Sequence, residues 1–279
     1  MAAPCRPAST VSCPACSAEG VVWPFSRGRR PAPTLDPLQF RHAAAGLPWL
    51  RGLDGARLER LSRLTARFLA DKTITPVQGL RLNDDHRLQL ALLCCLPLLE
   101  FGPEGLHGWK ELIVYPDAFR VRRSHLDAHG VLHEEDDALI GEAWSHGPVI
   151  LSWADVRADI ANPFEGYCVA VHEIAHKLDA LDGAMDGTPP LPRHWQRHWA
   201  GDFQQAYDDL CAAVDAGRDT AIDDYASESP EEFFAVCSEY HFSAPWLLRA
   251  AYPQVAGHLE RFYGASPAAS AHGLPPTGG

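Results

Sequence analysis

The stretch AVHEIAHKLDALDG, from Ala170 to Gly183, places two histidines and a glutamate in an otherwise apolar run. His172 and His176 are four residues apart, so on an α-helix they lie on one face and can bind the same ion. Glu173 is rotated about 100° from His172 and can reach past both imidazoles toward a water molecule on that ion. This spacing is the HExxH pattern, which predicts two zinc ligands and a general base.

The alternative interpretation is a surface helix with two solvated histidines. A largely buried helix is favoured instead by six apolar neighbours: Val169, Ala170, Val171, Ile174, Ala175 and Leu178. Burying two imidazoles and a carboxylate without partners is costly, so this context favours a metal site.

Local capping predicts that this helix runs from Pro163 to Leu181. Asn162 is a suitable N-cap, proline suits the first helical position, and Glu165 stands where a capping box places an acid. Gly183 is a suitable C-terminal stop.

A catalytic zinc needs a third protein ligand and an open position for water. Asp182 stands where metzincins have their third histidine, so the ligand must come from elsewhere. The stretch DDYASESPEEFFAVCSEYHFS, Asp223 to Ser243, predicts a capped helix whose Glu232 and Glu239 share one face. Both glutamates are candidates from the residues alone, although Glu232 can also be explained as part of a capping box. Weaker candidates are His194, His198 and His241.

Composition limits the class of protein. The chain has 279 residues, 46% of them hydrophobic, which suits one large globular domain or two small ones. The formal net charge of -12 argues against a general nucleic-acid-binding protein. The longest apolar run, Leu90 to Phe101, is too short to span a bilayer, and no apolar signal-peptide segment follows Met1. We therefore expect a cytoplasmic protein without a membrane segment.

The pattern of residues predicts an α+β fold class, with helices before and after a small sheet. β-Branched and aromatic residues predict strands within residues 110–121, with a turn at Pro116-Asp117, and within residues 146–153. Helices are expected, in chain order, at residues 54–72, 84–99, 163–181, about 195–213 and 230–263.

Both ends of the chain have a composition typical of disorder. Residues 1–35 and 265–279 are rich in Pro, Ala, Ser and Gly without periodicity. Between them we expect one domain, residues 36–264, with a helical part at about 36–109 and a catalytic part at about 110–264.

The pair Cys13 and Cys16 forms a CPAC run with only Cys5 nearby. A structural zinc site needs four ligands, so the favoured interpretation is chance cysteines in a disordered extension.

The runs HEIAHKLD, DDYASESPEEFFAVCSEYHFS, IVYPDAF and GPVILSW occur in one chain. Together they resemble the Mlc titration factor A family, bacterial zinc metallopeptidases of the gluzincin type. The resemblance covers about residues 36–263. It implies a zincin-like metallopeptidase domain preceded by a helical N-terminal subdomain.

The resemblance also implies the site residues. The family's ligands are the two motif histidines and the glutamate of a P-x-E-x-F-A-V run, which correspond here to His172, His176 and Glu232. Glu173 is then the base, Tyr225 matches a family tyrosine seven residues before the glutamate, and Glu239 orients a histidine ligand. Two features depart from the family. His241 stands where an aromatic residue is usual, and residues 1–35 have no counterpart.

The implied reaction is hydrolysis of peptide bonds by a water molecule that zinc activates. Glu173 would take the proton from the water and pass it to the leaving amine. Tyr225 would donate a hydrogen bond to the developing oxyanion, or else is an ordinary tyrosine packed on the core. The strand Pro148–Trp153 is either an exposed edge that pairs with an extended peptide or a buried strand.

Two functions are compatible with the resemblance. The first is an aminopeptidase-like enzyme that acts on a peptide or protein and takes part in regulating sugar uptake through a glucose-responsive transcriptional repressor. The alternative is a non-catalytic, zinc-containing regulator that binds and sequesters that repressor. Neither function involves direct contact with nucleic acid or a membrane.

Overall fold

A small parallel sheet lies within a mostly helical structure. The computed structural model describes residues 34–117 and 147–271, with side chains to residue 269. Its strands are β1 (Thr73–Pro76), β2 (Glu111–Tyr115) and β3 (Val149–Ser152), in the order β1-β2-β3 with both pairs parallel. Leu112 and Val114 of the central strand are fully buried. This architecture agrees with the α+β fold class that the sequence predicts.

Helices make up most of the described residues. In chain order they are α1 (Pro37–Ala45), α2 (Gly55–Asp71), α3 (Asp84–Cys95), α4 (Trp153–Ala161), α5 (Val169–Asp179), α6 (Arg193–Asp215), α7 (Pro230–Ser243), α8 (Pro245–Ala251), α9 (Pro253–Tyr263) and α10 (Pro267–Ala271). Short 3-10 turns include Ala180–Asp182 and Asp224–Ser227. Within the described ranges, no helix is both long and apolar enough to cross a bilayer.

The core brings α5 and α7 together. Helix α3 is buried along most of its length, from Leu88 to Cys95, and packs against α2 and α5. Trp199 and Phe203 of α6 stack at 4.2 Å between ring centroids, and Phe234 of α7 packs edge-on against Trp199. Because α5 is packed between α3 and α7, its position is set by contacts on two sides.

The start of α5 differs from its prediction. Residues 163–168 form a loop, and Asn162 ends α4 instead of capping α5. Gly166 in this loop has a φ of +97°, and a Cβ there would lie 2.6 Å from the Tyr240 ring. A left-handed backbone interrupts a helix, so the capping pattern at residues 162–165 misplaced the helix start by six residues. At the other end, Gly183 adopts a φ of +95° after the 3-10 turn, as the sequence predicts.

Carboxylates from other helices cap α5 in place of a local side chain. The backbone N–H of Cys168 donates to Glu239 Oε2 at 2.6 Å. The N–H of Val169 donates to Asp159 Oδ2 at 2.8 Å. Both acids also carry negative charge to the positive end of the helix dipole, which stabilises it. The cap therefore depends on tertiary packing of α4 and α7 against α5.

The predicted helices outside α5 agree with the structure in part. The helix expected at residues 54–72 is confirmed as α2, whereas β1 and α4 were not predicted. The single helical region expected at 230–263 is divided into three helices, because Pro245 and Pro253 cannot continue a hydrogen-bonded helix.

The predicted C-terminal disorder does not describe the first residues after 264. Residues Pro267–Ala271 form α10, with Ala268 fully buried and the Pro267 carbonyl packed against Gly52. Apolar burial against the 3-10 helix Pro48–Gly52 orders a segment whose composition alone suggests a coil. The CPAC run and residues 118–146, which include the end of the predicted strand region, lie outside the described residues.

Candidate metal centre

Three side-chain atoms from α5 and α7 converge on one point. His172 Nε2 and His176 Nε2 lie 3.1 Å apart. Glu232 Oε2 lies 3.0 Å from the first nitrogen and 3.4 Å from the second. Ligand atoms bound tetrahedrally to zinc at 2.0–2.1 Å are about 3.3 Å from one another. The triangle therefore has the dimensions of three ligands around a single ion, and the group is one that could hold a metal.

The protonation of His172 supports the same conclusion. Its Nδ1 lies 2.8 Å from Glu239 Oε1. A carboxylate only accepts hydrogen bonds, so Nδ1 carries a proton, and in the neutral imidazole Nε2 keeps a lone pair directed at the cluster. Burial alone would lower the pKa of His172, but the carboxylates of Glu232 and Glu239 raise it well above its usual value. The two carboxylates thus attract a positive charge to the cluster, which either a second proton on Nε2 or a metal ion in its place would supply.

Glu232 is an ionised carboxylate in a protected position. Burial alone would raise its pKa, but His172 and His176 hold it well below the usual range. Its Oε2 is buried, and the geometry of its contacts with both imidazoles leaves it without a well-formed hydrogen bond among the described residues. A buried anionic oxygen is costly to leave unpaired. Two imidazole nitrogens and this oxygen are the donor types that a divalent metal binds.

The structure places the two candidate glutamates on opposite sides of His172. Glu232 faces the Nε2 atoms, whereas Glu239 contacts Nδ1. Glu239 is only 7% exposed, and its two oxygens are occupied by the imidazole and by the Cys168 N–H. Glu239 therefore supports a histidine and caps α5, while the geometry brings Glu232 into the cluster.

Of the two remaining predicted residues, one neighbours His172 in the sequence and the other neighbours it in space. Glu173 follows His172 on α5 and is half-buried. Tyr225 lies in the Asp224–Ser227 turn, with its ring centroid 6.2 Å from that of His172. The turn packs against α7, and the Tyr225 N–H donates to Asp223 Oδ1 at 3.0 Å.

The weaker histidine candidates do not join the cluster. His194 and His198 are exposed on α6, and His194 Nε2 lies 3.5 Å from an Arg261 nitrogen. His241 is only 3% exposed and packs against the rings of Phe242 and Tyr263. It is therefore a core residue, and burial lowers its pKa to about 3.

Two acids near the site were not singled out in the sequence. Asp159 caps α5 from α4, and nothing in its local sequence distinguishes it from a surface acid. Asp179, on the last turn of α5, is completely buried. An acid three residues after the second histidine of a buried helix was a detectable sign that this position has a partner.

An HExxH histidine pair joined by a glutamate from a later helix is typical of metallopeptidases, and this is the class that the fold and site define. Residues 25–264 match the family model described as "Glucose-regulated metallo-peptidase M90". The chain belongs to this family, and membership implies a divalent metal.

Curated relatives extend over nearly the whole chain. "Mlc titration factor A" of Serratia proteamaculans is 36% identical over 252 residues, which are 89% of this chain and 94% of the relative. The protein of that name from Cronobacter sakazakii is 36% identical over 250 residues, 88% of this chain and 92% of the relative. The one from Yersinia pestis is 35% identical over 240 residues, 85% and 88% of the two chains. The chain thus spans most of the length of each of these proteins.

Proposed function

We propose that the protein is a zinc-dependent peptidase with a zincin-like domain of the gluzincin type. The observation that carries this proposal is the triangle of His172 Nε2, His176 Nε2 and Glu232 Oε2, with edges of 3.0–3.4 Å; the helix that holds both histidines also carries Glu173. Three protein ligands leave one tetrahedral position open, as catalytic zinc sites do, whereas a structural site is closed by a fourth ligand. When bound, zinc would polarise the scissile carbonyl and lower the pKa of a water molecule to about 7.

Three residues of the chain position the metal ligand, transfer the proton and stabilise the oxyanion. Glu239 holds the proton of His172 on Nδ1, which keeps the Nε2 lone pair available. Glu173 accepts the proton of the attacking water and delivers it to the leaving amine, so the amine departs neutral. Tyr225 donates its hydroxyl proton in a hydrogen bond to the oxygen on which negative charge develops.

An extended substrate would lie along β3. This strand is the last in the order of the described sheet, and Ile150 is only half-buried in it. Pairing with a strand edge aligns a peptide by backbone hydrogen bonds, independent of its side chains. We expect aminopeptidase-like cleavage of peptide or protein substrates in the cytoplasm.

A second function is supported by the name of the relatives. The words "Mlc titration factor A" describe those proteins as acting on Mlc. For this chain we propose a glucose-responsive transcriptional repressor as partner, through which the protein regulates sugar uptake. Repressor binding could accompany catalysis, or the protein could be a non-catalytic regulator that sequesters the repressor. The net charge of -12 supports contact with a protein and not with DNA.

The test uses zinc-loaded protein and a mixed peptide library, with cleavage followed by mass spectrometry. The Glu173→Ala variant at equal zinc content is the matched control, because it keeps all three ligands. We expect cleavage by the native protein alone, and the products show whether it trims ends or cuts internally. Cleavage by both proteins would refute the role of Glu173. Cleavage by neither, with one zinc bound in each, would favour the repressor-sequestering alternative.

A further inference from the structure

A loop between α5 and α6 is held at one glycine from two sides. The backbone N–H of Gly187 donates to Asp179 Oδ2 at 2.8 Å. The carbonyl of Gly187 accepts from Trp199 Nε1 at 3.1 Å. Asp179 belongs to the helix that carries both histidines, and Trp199 belongs to α6. The position of Gly187 is therefore set by the two helices that flank the loop.

The same glycine lies directly against the first residue of α7. Gly187 has a φ of +80°, and a Cβ built on it would lie 2.5 Å from the Pro230 carbonyl oxygen and 3.0 Å from its carbon. The contact is thus between two backbones, with no room for a side chain. Glu232 lies two residues after Pro230, in the first turn of the same helix. Gly187 therefore connects the end of α5 with the start of α7.

The burial of Asp179 is difficult to explain as stabilisation. The residue is fully buried, and its Oδ1 has no hydrogen-bond partner in the described part of the chain. Burial raises its pKa to about 7, and the nearby acids Asp182, Asp186 and Glu231 contribute to the increase. A buried carboxyl with one unpaired oxygen costs stability. The contact that explains its presence is the one that Oδ2 makes with the Gly187 N–H.

We propose that Asp179 and Gly187 are positioning residues for the third metal ligand. Asp179 holds Gly187 against Pro230, and this contact fixes how far the first turn of α7 stands from His176. The separation of 3.4 Å between Glu232 Oε2 and His176 Nε2 depends on that spacing. The inference rests on the proposed function, because it assigns the ligand role to Glu232.

Two glycine variants of the same loop provide the test. Gly187→Ala adds a methyl group against the Pro230 carbonyl. Gly183→Ala is the matched control, because Gly183 has a similar left-handed φ of +95° but no atom within 4 Å of an added Cβ. Both variants put a side chain on a left-handed backbone, and only the first places it against α7. The measurements are the zinc dissociation constant, by competition with a chromophoric chelator, and the visible absorption spectrum of the cobalt-substituted protein.

We expect Gly187→Ala to weaken zinc binding about tenfold or more and to change the cobalt spectrum, since disturbing a group that orients a ligand has effects of this size. Gly183→Ala should bind both metals as the native protein does, although both variants should melt at lower temperature. Equal zinc affinity in the two variants, with native-like cobalt spectra, would overturn the inference.

Variants of Asp179 test its role in holding Gly187. They also test the whole inference if Gly187→Ala does not fold. Asp179→Asn keeps an oxygen that accepts the Gly187 N–H, whereas Asp179→Ala removes it. We expect the asparagine variant to retain native zinc affinity and the alanine variant to lose about tenfold. Native affinity in the alanine variant would refute the role of Asp179. A native protein that fails to bind one equivalent of zinc would instead refute the proposed function.

Discussion

Replacing Glu239 by glutamine should weaken zinc binding while leaving all three ligands in place. Glu239 accepts two hydrogen bonds, from His172 Nδ1 at 2.8 Å and from the Cys168 N–H at 2.6 Å. A glutamine has one acceptor oxygen, so its NH2 group must face one of these two donors. If it faces His172, the imidazole proton moves to Nε2 and blocks the lone pair that a metal requires.

The size of the effect follows from these contacts. A hydrogen bond to a charged group contributes about 1.5–3 kcal/mol, and loss of a residue that orients a metal ligand reduces affinity about 10–100-fold, or roughly 1.4–2.8 kcal/mol. Because Glu239 also caps α5, the variant should lose about 1–2 kcal/mol of stability even without metal.

The control is Asp159→Asn. It removes the same negative charge from the same end of α5, but Asp159 accepts from the Val169 N–H, whereas His172 Nδ1 is hydrogen-bonded to Glu239. Zinc affinity is measured for both variants by competition with a chromophoric chelator, and stability of the metal-free proteins by urea denaturation. We expect both to be less stable and only Glu239→Gln to bind zinc more weakly. If the two variants bind zinc equally well, the assignment of Glu239 as the partner that orients His172 is wrong.

Three further predictions concern single residues. Glu232→Ala should abolish stoichiometric zinc binding measured by equilibrium dialysis, because it removes the anionic ligand; retention of one zinc would exclude Glu232 as a ligand. Tyr225→Phe should keep zinc but reduce kcat by about 10²-fold if its hydroxyl stabilises the oxyanion, and unchanged kinetics would indicate a packing role. In the folded protein burial lowers the pKa of His241 to about 3 from its ordinary value of 6.5. The unfolded chain therefore binds the extra proton between these values, and stability falls as pH decreases below 6.5. His241→Phe should remove about 2 kcal/mol of this loss at pH 5. The free energy of unfolding is measured by urea denaturation of both proteins at pH 7 and pH 5, and an equal decrease in the two proteins would contradict the prediction.

Local patterns in the sequence predicted the elements that depend on nearby residues. Helix α2 follows from the helical spacing of its apolar residues within 54–72, and the end of the α5 segment follows from Gly183. The HExxH spacing brings His172 and His176 together on any straight helix, because four residues make about one turn. These features need no information about the rest of the fold.

The start of α5 shows where local reasoning fails. Asn162, Pro163 and Glu165 form a plausible capping pattern, but the helix begins at Val169 because acids from α4 and α7 satisfy its N-terminal N–H groups. A cap supplied by a distant carboxylate leaves no pattern in the neighbouring residues.

The sequence by itself determined the histidine pair, the glutamate beside it that we propose as the base, and the two glutamates that could complete the site. The residues alone left Glu232 and Glu239 as alternatives and the family resemblance favoured Glu232, but only the tertiary structure places Glu232 at the Nε2 atoms and Glu239 at Nδ1. Seven residues on a helix place both side chains on one face, so their spacing cannot distinguish which one reaches Nε2 and which reaches Nδ1. That distinction depends on the position of α7 along the axis of α5. The packing of both helices and the contact of Gly187 with Pro230 set this position.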